Sequence, residues 1–184
     1  MRPVQTLLQR AATALGWDGV VVPDVAVLGQ QVSAVVRLRP DVHEWRTQNG
    51  WPPRADPSWF RSWFEPAAHD RLPVAAVELV GVLVSESTTD RALQSCGTLL
   101  TLAPCAVMLP RTDESQAWSF IELDYYGIGV VVGDDTSADL MVPPEDRSPE
   151  FGPSLFGRWL LEVLYERVLK ASHAPAGSSP GSQG

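Results

Sequence analysis

Lysine is almost missing from this sequence: of its 14 basic residues only Lys170 is a lysine, and the others are arginines. A site that needs an ammonium group has only Lys170 to supply it, and an arginine in its place is a poor proton donor or acceptor because its pKa exceeds about 12. Cysteine is nearly as scarce. Cys96 and Cys105 are too few for a disulfide scaffold and lack a CxxC spacing, so both read as free thiols of a cytoplasmic protein. No apolar run approaches the roughly 18 residues of a membrane span. The opening MRPVQTLLQRAATALGW is broken by Gln and Arg every few residues, so neither a signal peptide nor a membrane partner is expected. Hydrolase and nucleotide signatures are missing as well: there is no GxSxG and no P-loop, and GIGVVVG lacks the GxGxxG spacing. His43-Glu44 and His69-Asp70 supply metal-ligand types without an HExxH spacing, and read as ordinary loop residues.

What is present fits a folded domain. The 184 residues are 45% hydrophobic, enough for one core that buries about two thirds of the unfolded surface. Acidic side chains number 22 against 14 basic, and the net charge of −8 works against broad adhesion to phosphate backbones. Nucleic-acid contact is thus expected only locally. The pattern predicts a single α/β (or α+β) domain over residues 1–171, with a central mixed sheet flanked by helices and a disordered Pro/Gly-rich tail over 172–184.

Val4, Leu7, Leu8, Ala11, Ala12 and Leu15 recur at helical spacing before Gly16, which predicts a first helix. GVVVPDVAVLG and QQVSAVVRLRP read as a hairpin turning at Gly29-Gln30-Gln31, with Pro23 marking an edge or a bulge. PVAAVELVGVLVSES is the longest predicted strand, and SESTTDRALQSCGTLLTLA the helix after it, with Ser87 and Asp90 as a capping pair. PCAVMLP reads as a short buried strand, AWSFIELDYYGIGVVVG as one or two more, and MVPPEDRSPEFGP as a connection. The last helix turns Leu155, Phe156, Trp159, Leu160, Val163, Leu164 and Val168 inward, and Arg158, Glu162, Glu166 and Lys170 outward. Asp134, Asp135 and Asp139 read as a solvated, turn-forming face.

Residues 40–72 lose periodicity and gather prolines around Trp45, Trp51, Trp59 and Trp63, which reads as a long loop holding a short helical turn. In DPSWFRSWFEP, Trp59, Phe60, Trp63 and Phe64 follow an Asp56-Pro57 start at i, i+1, i+4 and i+5, which places their rings on one helical face. These rings either cover an open face of the sheet or, with Trp45 and Trp51, contact a protein partner. Interleaved with Arg46, Arg54 and Arg61, they also have the composition of a stacking surface for single-stranded nucleic acid.

Glu78 stands inside the apolar strand PVAAVELVGVLVSES. A carboxylate in such a place requires a cationic partner, a metal, a raised pKa or solvent, because burying it unpaired costs several kcal/mol. One reading pairs it with Arg37 or Arg39 on the neighbouring strand; another makes it a metal ligand. The order of elements around it, a helix, three strands with an acid on the third, then a helix and a strand, resembles the restriction-endonuclease-like nucleases. Their motif is Pro-Asp followed on the next central strand by Asp/Glu-x-Lys. The resemblance covers roughly residues 3–132, with Glu78 in AVELV as the strand acid and either Pro23-Asp24 or Pro40-Asp41 as the Pro-Asp. It implies a Mg²⁺ ion held by Glu78 with Asp24 or Asp41. Val80 stands where the family has lysine, and Arg91 is the nearest substitute cation. A degenerate member is expected, one that works as a binding or accessory subunit without standard catalysis, in a nucleic-acid-processing or defence complex. The alternatives are a metal-dependent phosphodiesterase using Glu78, Asp24 or Asp41 and Arg91, and an acidic chaperone or immunity-type interaction module.

Overall fold

The computed structural model describes residues 3–62, 72–111, 117–134, 136–152 and 154–173; Trp63, Phe64, His69 and the tail beyond 173 lie outside them. Helix α1 (Pro3–Ala14) is followed by strands β1 (Val20–Val27) and β2 (Gln30–Leu38). Next come helices α2 (Pro40–Gln48) and α3 (Pro57–Ser62) and strand β3 (Val77–Ser85). Helix α4 (Thr89–Gly97) leads through a 3₁₀ turn (Leu99–Thr101) to β4 (Cys105–Pro110). Helix α5 (Ala117–Tyr125), β5 (Gly129–Gly133), β6 (Ala138–Val142), a second 3₁₀ turn (Ser148–Glu150) and α6 (Leu155–His173) complete the order.

The strands form one six-stranded sheet in chain order, β1 to β6. Strands β1, β2 and β3 run antiparallel as a meander, and β5 and β6 are antiparallel. The pairs β3–β4 and β4–β5 are parallel and therefore need crossovers, which α4 and α5 supply. Alternation along each strand then sorts side chains to two faces. Val36, Val82, Val107 and Val130 meet α4, α5 and α6 in the larger core through Ala92, Cys96, Leu123, Leu160 and Leu164. Among the described residues, Val21, Val35, Leu83, Ala106 and Val131 meet α1 through Leu8, Ala11 and Ala12, with Trp17 packed beside them. Close approach on that side uses a glycine: a Cβ at Gly81 would stand 2.6 Å from the ring of Trp17, so the indole packs against the strand only because no side chain is there.

The β1–β2 hairpin forms as the sequence predicts, with its turn one step earlier. Val27 pairs with Gln30, and Leu28 (φ 50°) and Gly29 (φ 83°) make the two-residue loop, both with positive φ as a twisted hairpin requires. The irregularity at Pro23 is a bulge between Val22 and Val25, where Asp24 takes a φ of 55°. Several expectations are corrected. Part of the loop predicted from Pro40 is helical, over Pro40–Gln48 as well as the short turn Pro57–Ser62: Pro40 opens α2 in the first turn, where a missing N–H costs nothing. Residues 117–125, read as strand, are helix α5, and Gly127 (φ 74°) ends its turn before β5 begins. The helix predicted as continuous after β3 stops at Gly97 and tightens into the 3₁₀ turn, and its cap is Thr88, whose Oγ1 accepts from the Arg91 N–H. The connection read from Met141 begins inside β6.

Candidate functional site

Glu78 lies opposite Arg37 in the β2–β3 register, and its Oε2 accepts from Arg37 Nη1 at 3.3 Å. Arg37 follows Val35 by two residues, so the pair stands on the α1 face of the sheet, with 46% and 56% of the two side chains exposed. The strand acid thus has a cationic partner and water around it. The structure does not gather the other proposed ligands beside it. Asp24 sits on the β1 bulge opposite Ser33, four residues along β2 from Arg37, which separates the two levels by about 13 Å along the strand. Asp41 is exposed in the first turn of α2, and Arg91 is exposed near the start of α4. Among the described residues no group of three or more His, Cys, Asp and Glu side chains is placed to hold a metal ion. Asp134 and Asp139 are instead bridged by Arg111, with Asp134 also accepting from Thr136 and Ser137 in its own turn. Those hydrogen bonds, led by the Thr136 hydroxyl, hold the Asp134 carboxyl well below the usual carboxylate range.

The strongest electrostatic construction lies elsewhere, between the Trp/Pro-rich segment and α6. Arg46, in the last turn of α2, is 0% exposed, and Glu162, expected on the outer face of α6, is 1% exposed. The guanidinium donates from Nη1 to Glu162 Oε1 and from Nη2 to Oε2, each at 2.8 Å, in a bidentate fork. Its remaining N–H groups reach the carbonyls of Trp51 (3.2 Å), Pro52 (3.0 Å) and Val74 (3.5 Å). Glu162 also accepts from Arg158 Nη1 at 2.7 Å and from the Arg54 backbone N–H at 3.0 Å. Every donor of Arg46 and all four acceptor positions of Glu162 are filled, which is the condition for two charges to be buried without a large net penalty. Burial pushes the Glu162 carboxyl up, but Arg46, the Arg54 N–H and Arg158 outweigh it and leave the group below its ordinary 4.5. Tyr165 completes the floor: Arg46 stacks 4.8 Å from its ring centroid, and its hydroxyl meets His43 Nδ1 at 2.7 Å. A fully satisfied network has no free valence for a substrate. What it does is fix residues 46–54 against α6.

The outer side of that anchored segment carries the aromatic rings. Arg54 Cζ lies 4.9 Å from the Trp51 ring centroid and 4.3 Å from that of Trp59, so the guanidinium is shared by two indoles. Trp45 continues the row at 6.4 Å from Trp51 with the planes tilted by 34°. Trp45 and Trp59 are 49% and 44% exposed, while Trp159 of α6 donates its indole N–H to the Ala55 carbonyl at 3.1 Å beneath them. Phe60 lies on α3, and nothing of its side chain is described.

Sequence reasoning missed Arg46, Glu162 and Tyr165 as one unit. A signal for Glu162 existed, since positions 155, 159 and 162 share a helical stripe with Leu155 and Trp159. Arg46 had none, because a single arginine in a polar helix reads as exposed. No family model, curated protein or solved structure matches the chain.

Proposed function

We propose that the chain is a non-catalytic binding subunit of the restriction-endonuclease-like kind, holding a protein partner through Trp45, Trp51 and Trp59 in a nucleic-acid-processing or defence assembly. The kind of assembly comes from the resemblance in element order, an argument by analogy. The partner face comes from geometry. Its carrying observation is the Trp51–Arg54–Trp59 stack, pre-ordered on a buried salt bridge, with the indoles of Trp59 and the adjoining Trp45 half open to water. Aromatic and arginine side chains held rigid before contact are the residues that dominate protein interfaces, because little conformational entropy remains to be lost. The pairing of Glu78 with Arg37, away from Asp24, favours binding over metal-dependent hydrolysis.

Two measurements test this reading. Replacing Trp45 and Trp59 together by Ala is expected to weaken a co-purifying partner by about 30-fold, the loss of a 2 kcal/mol hot spot, while circular dichroism still reports a folded chain. Cleavage of a DNA and RNA panel with Mg²⁺ or Mn²⁺ is expected to be absent. Turnover that disappears on Glu78→Ala would replace the binding reading with the phosphodiesterase one.

A further inference from the structure

A cavity of about 660 Å³ opens on the far side of the sheet from α1, apart from the tryptophan row. It lies between the start of β3, the first 3₁₀ turn, the segment before α6 and the first turns of α6. Its apolar walls are Val77, Leu79, Leu102, Leu160 and Leu161. Gly157, in the first turn of α6, contributes no side chain, which helps to leave the space open between the helix and Leu102. The volume falls within the roughly 300–1,000 Å³ typical of sites for small organic molecules.

The charges at this cavity are unequal in their commitments. Arg158 is engaged by the Glu162 carboxylate and the Pro73 carbonyl. Glu78 borders the cavity, but its carboxylate is turned to Arg37 on the α1 side. Arg39 lines the cavity, is exposed, and among the described residues its guanidinium has no hydrogen bond or ion pair. The positive end of α6 faces the same space through Ser154 and Gly157. An apolar chamber with one uncommitted cation at its rim complements a molecule with an apolar body and a single anionic head.

We propose that this cavity binds a small amphipathic carboxylate, its hydrocarbon part against Leu79, Leu102, Leu160 and Leu161 and its head on Arg39. The occupant is independent of any partner on the tryptophan face. The probe is decanoate, titrated calorimetrically into the full chain beside decanol and decylamine. Decanoate is expected to bind saturably at one site, at least tenfold more tightly than decanol, with decylamine weaker still. Arg39→Gln should weaken decanoate about tenfold, the worth of one charge-assisted contact, and leave decanol unchanged; Arg37→Gln, on the opposite face, should change neither. Ala75 also lines the cavity, and Ala75→Trp, which puts an indole in the space for the hydrocarbon part, should strongly weaken binding of both, with unaltered circular dichroism reporting an intact fold. Absence of saturable decanoate binding, equal affinity for decanoate and decylamine, or indifference to Arg39→Gln overturns the proposal. So does tighter binding of an uncharged apolar peptide that displaces decanoate, which would make the groove a peptide site.

Discussion

Arg46 and Glu162 show how much can depend on one pair of side chains. Among the described residues Arg46 has no carboxylate but Glu162, and Glu162 has Arg158 as a second cation, so removing Glu162 strands the Arg46 charge in the core. Glu162→Gln is expected to cost about 3–5 kcal/mol, read as a lower urea midpoint at unchanged slope. A double-mutant cycle with Arg46→Met should return a coupling of about 2–3 kcal/mol, as residues in one network do. The sign of the pH dependence follows from the lowered Glu162 pKa. Its contribution is complete above its ordinary 4.5 and is lost as the pH falls through the folded value. Wild-type protein should therefore lose stability in acid faster than Glu162→Gln, whose curve should be flatter below about pH 5.

At the scale of elements, α1 is held by contacts as small as a missing methyl group. Gly81→Ala would drive a Cβ into Trp17, and the ring must leave the sheet or the strand must shift. A cost of about 1–3 kcal/mol is expected, measured by thermal unfolding, and it should nearly vanish in a Trp17→Ala background, where the two changes are no longer additive. The elements legible in the sequence were those with one clear period: α1, the β1–β2 hairpin, β3, β4 and α6 all appear where Val, Leu and Ala spacing puts them. Those that were not legible carry mixed signals. In α5 the aromatic and β-branched residues Trp118, Phe120, Ile121 and Tyr125 mimic a strand, whereas the fold requires a crossover helix between two parallel neighbours. In α2 the proline that signals a loop serves as a helix start. Glu78 was legible in the one respect that the register now fixes, a cross-strand arginine; its distance from Asp24 was not, because a Pro-Asp dipeptide says nothing about pairing level.

Over the whole molecule the two faces of the sheet are unequally covered. Among the described residues, α4, α5 and α6 with Val42 of α2 close one side, α6 crossing above β1, β2 and β3, and the 12-residue α1 covers the other. The thinner layer should open first. Amides of α1 are expected to exchange with solvent through a sub-global opening a few kcal/mol below full unfolding, whereas amides of β3, β4 and β5 should exchange only with global unfolding. Hydrogen–deuterium exchange read by mass spectrometry distinguishes this from uniform protection.

Strand order equal to chain order means that each strand finds its neighbour already made as the polypeptide leaves the ribosome. The counter-ion for Arg46 arrives 116 positions later, on the final helix. A product broken off before that helix would carry a complete sheet whose face at Val36 and Val82 is uncovered and whose Arg46 has lost its counter-ion, and it would be open to proteolytic removal.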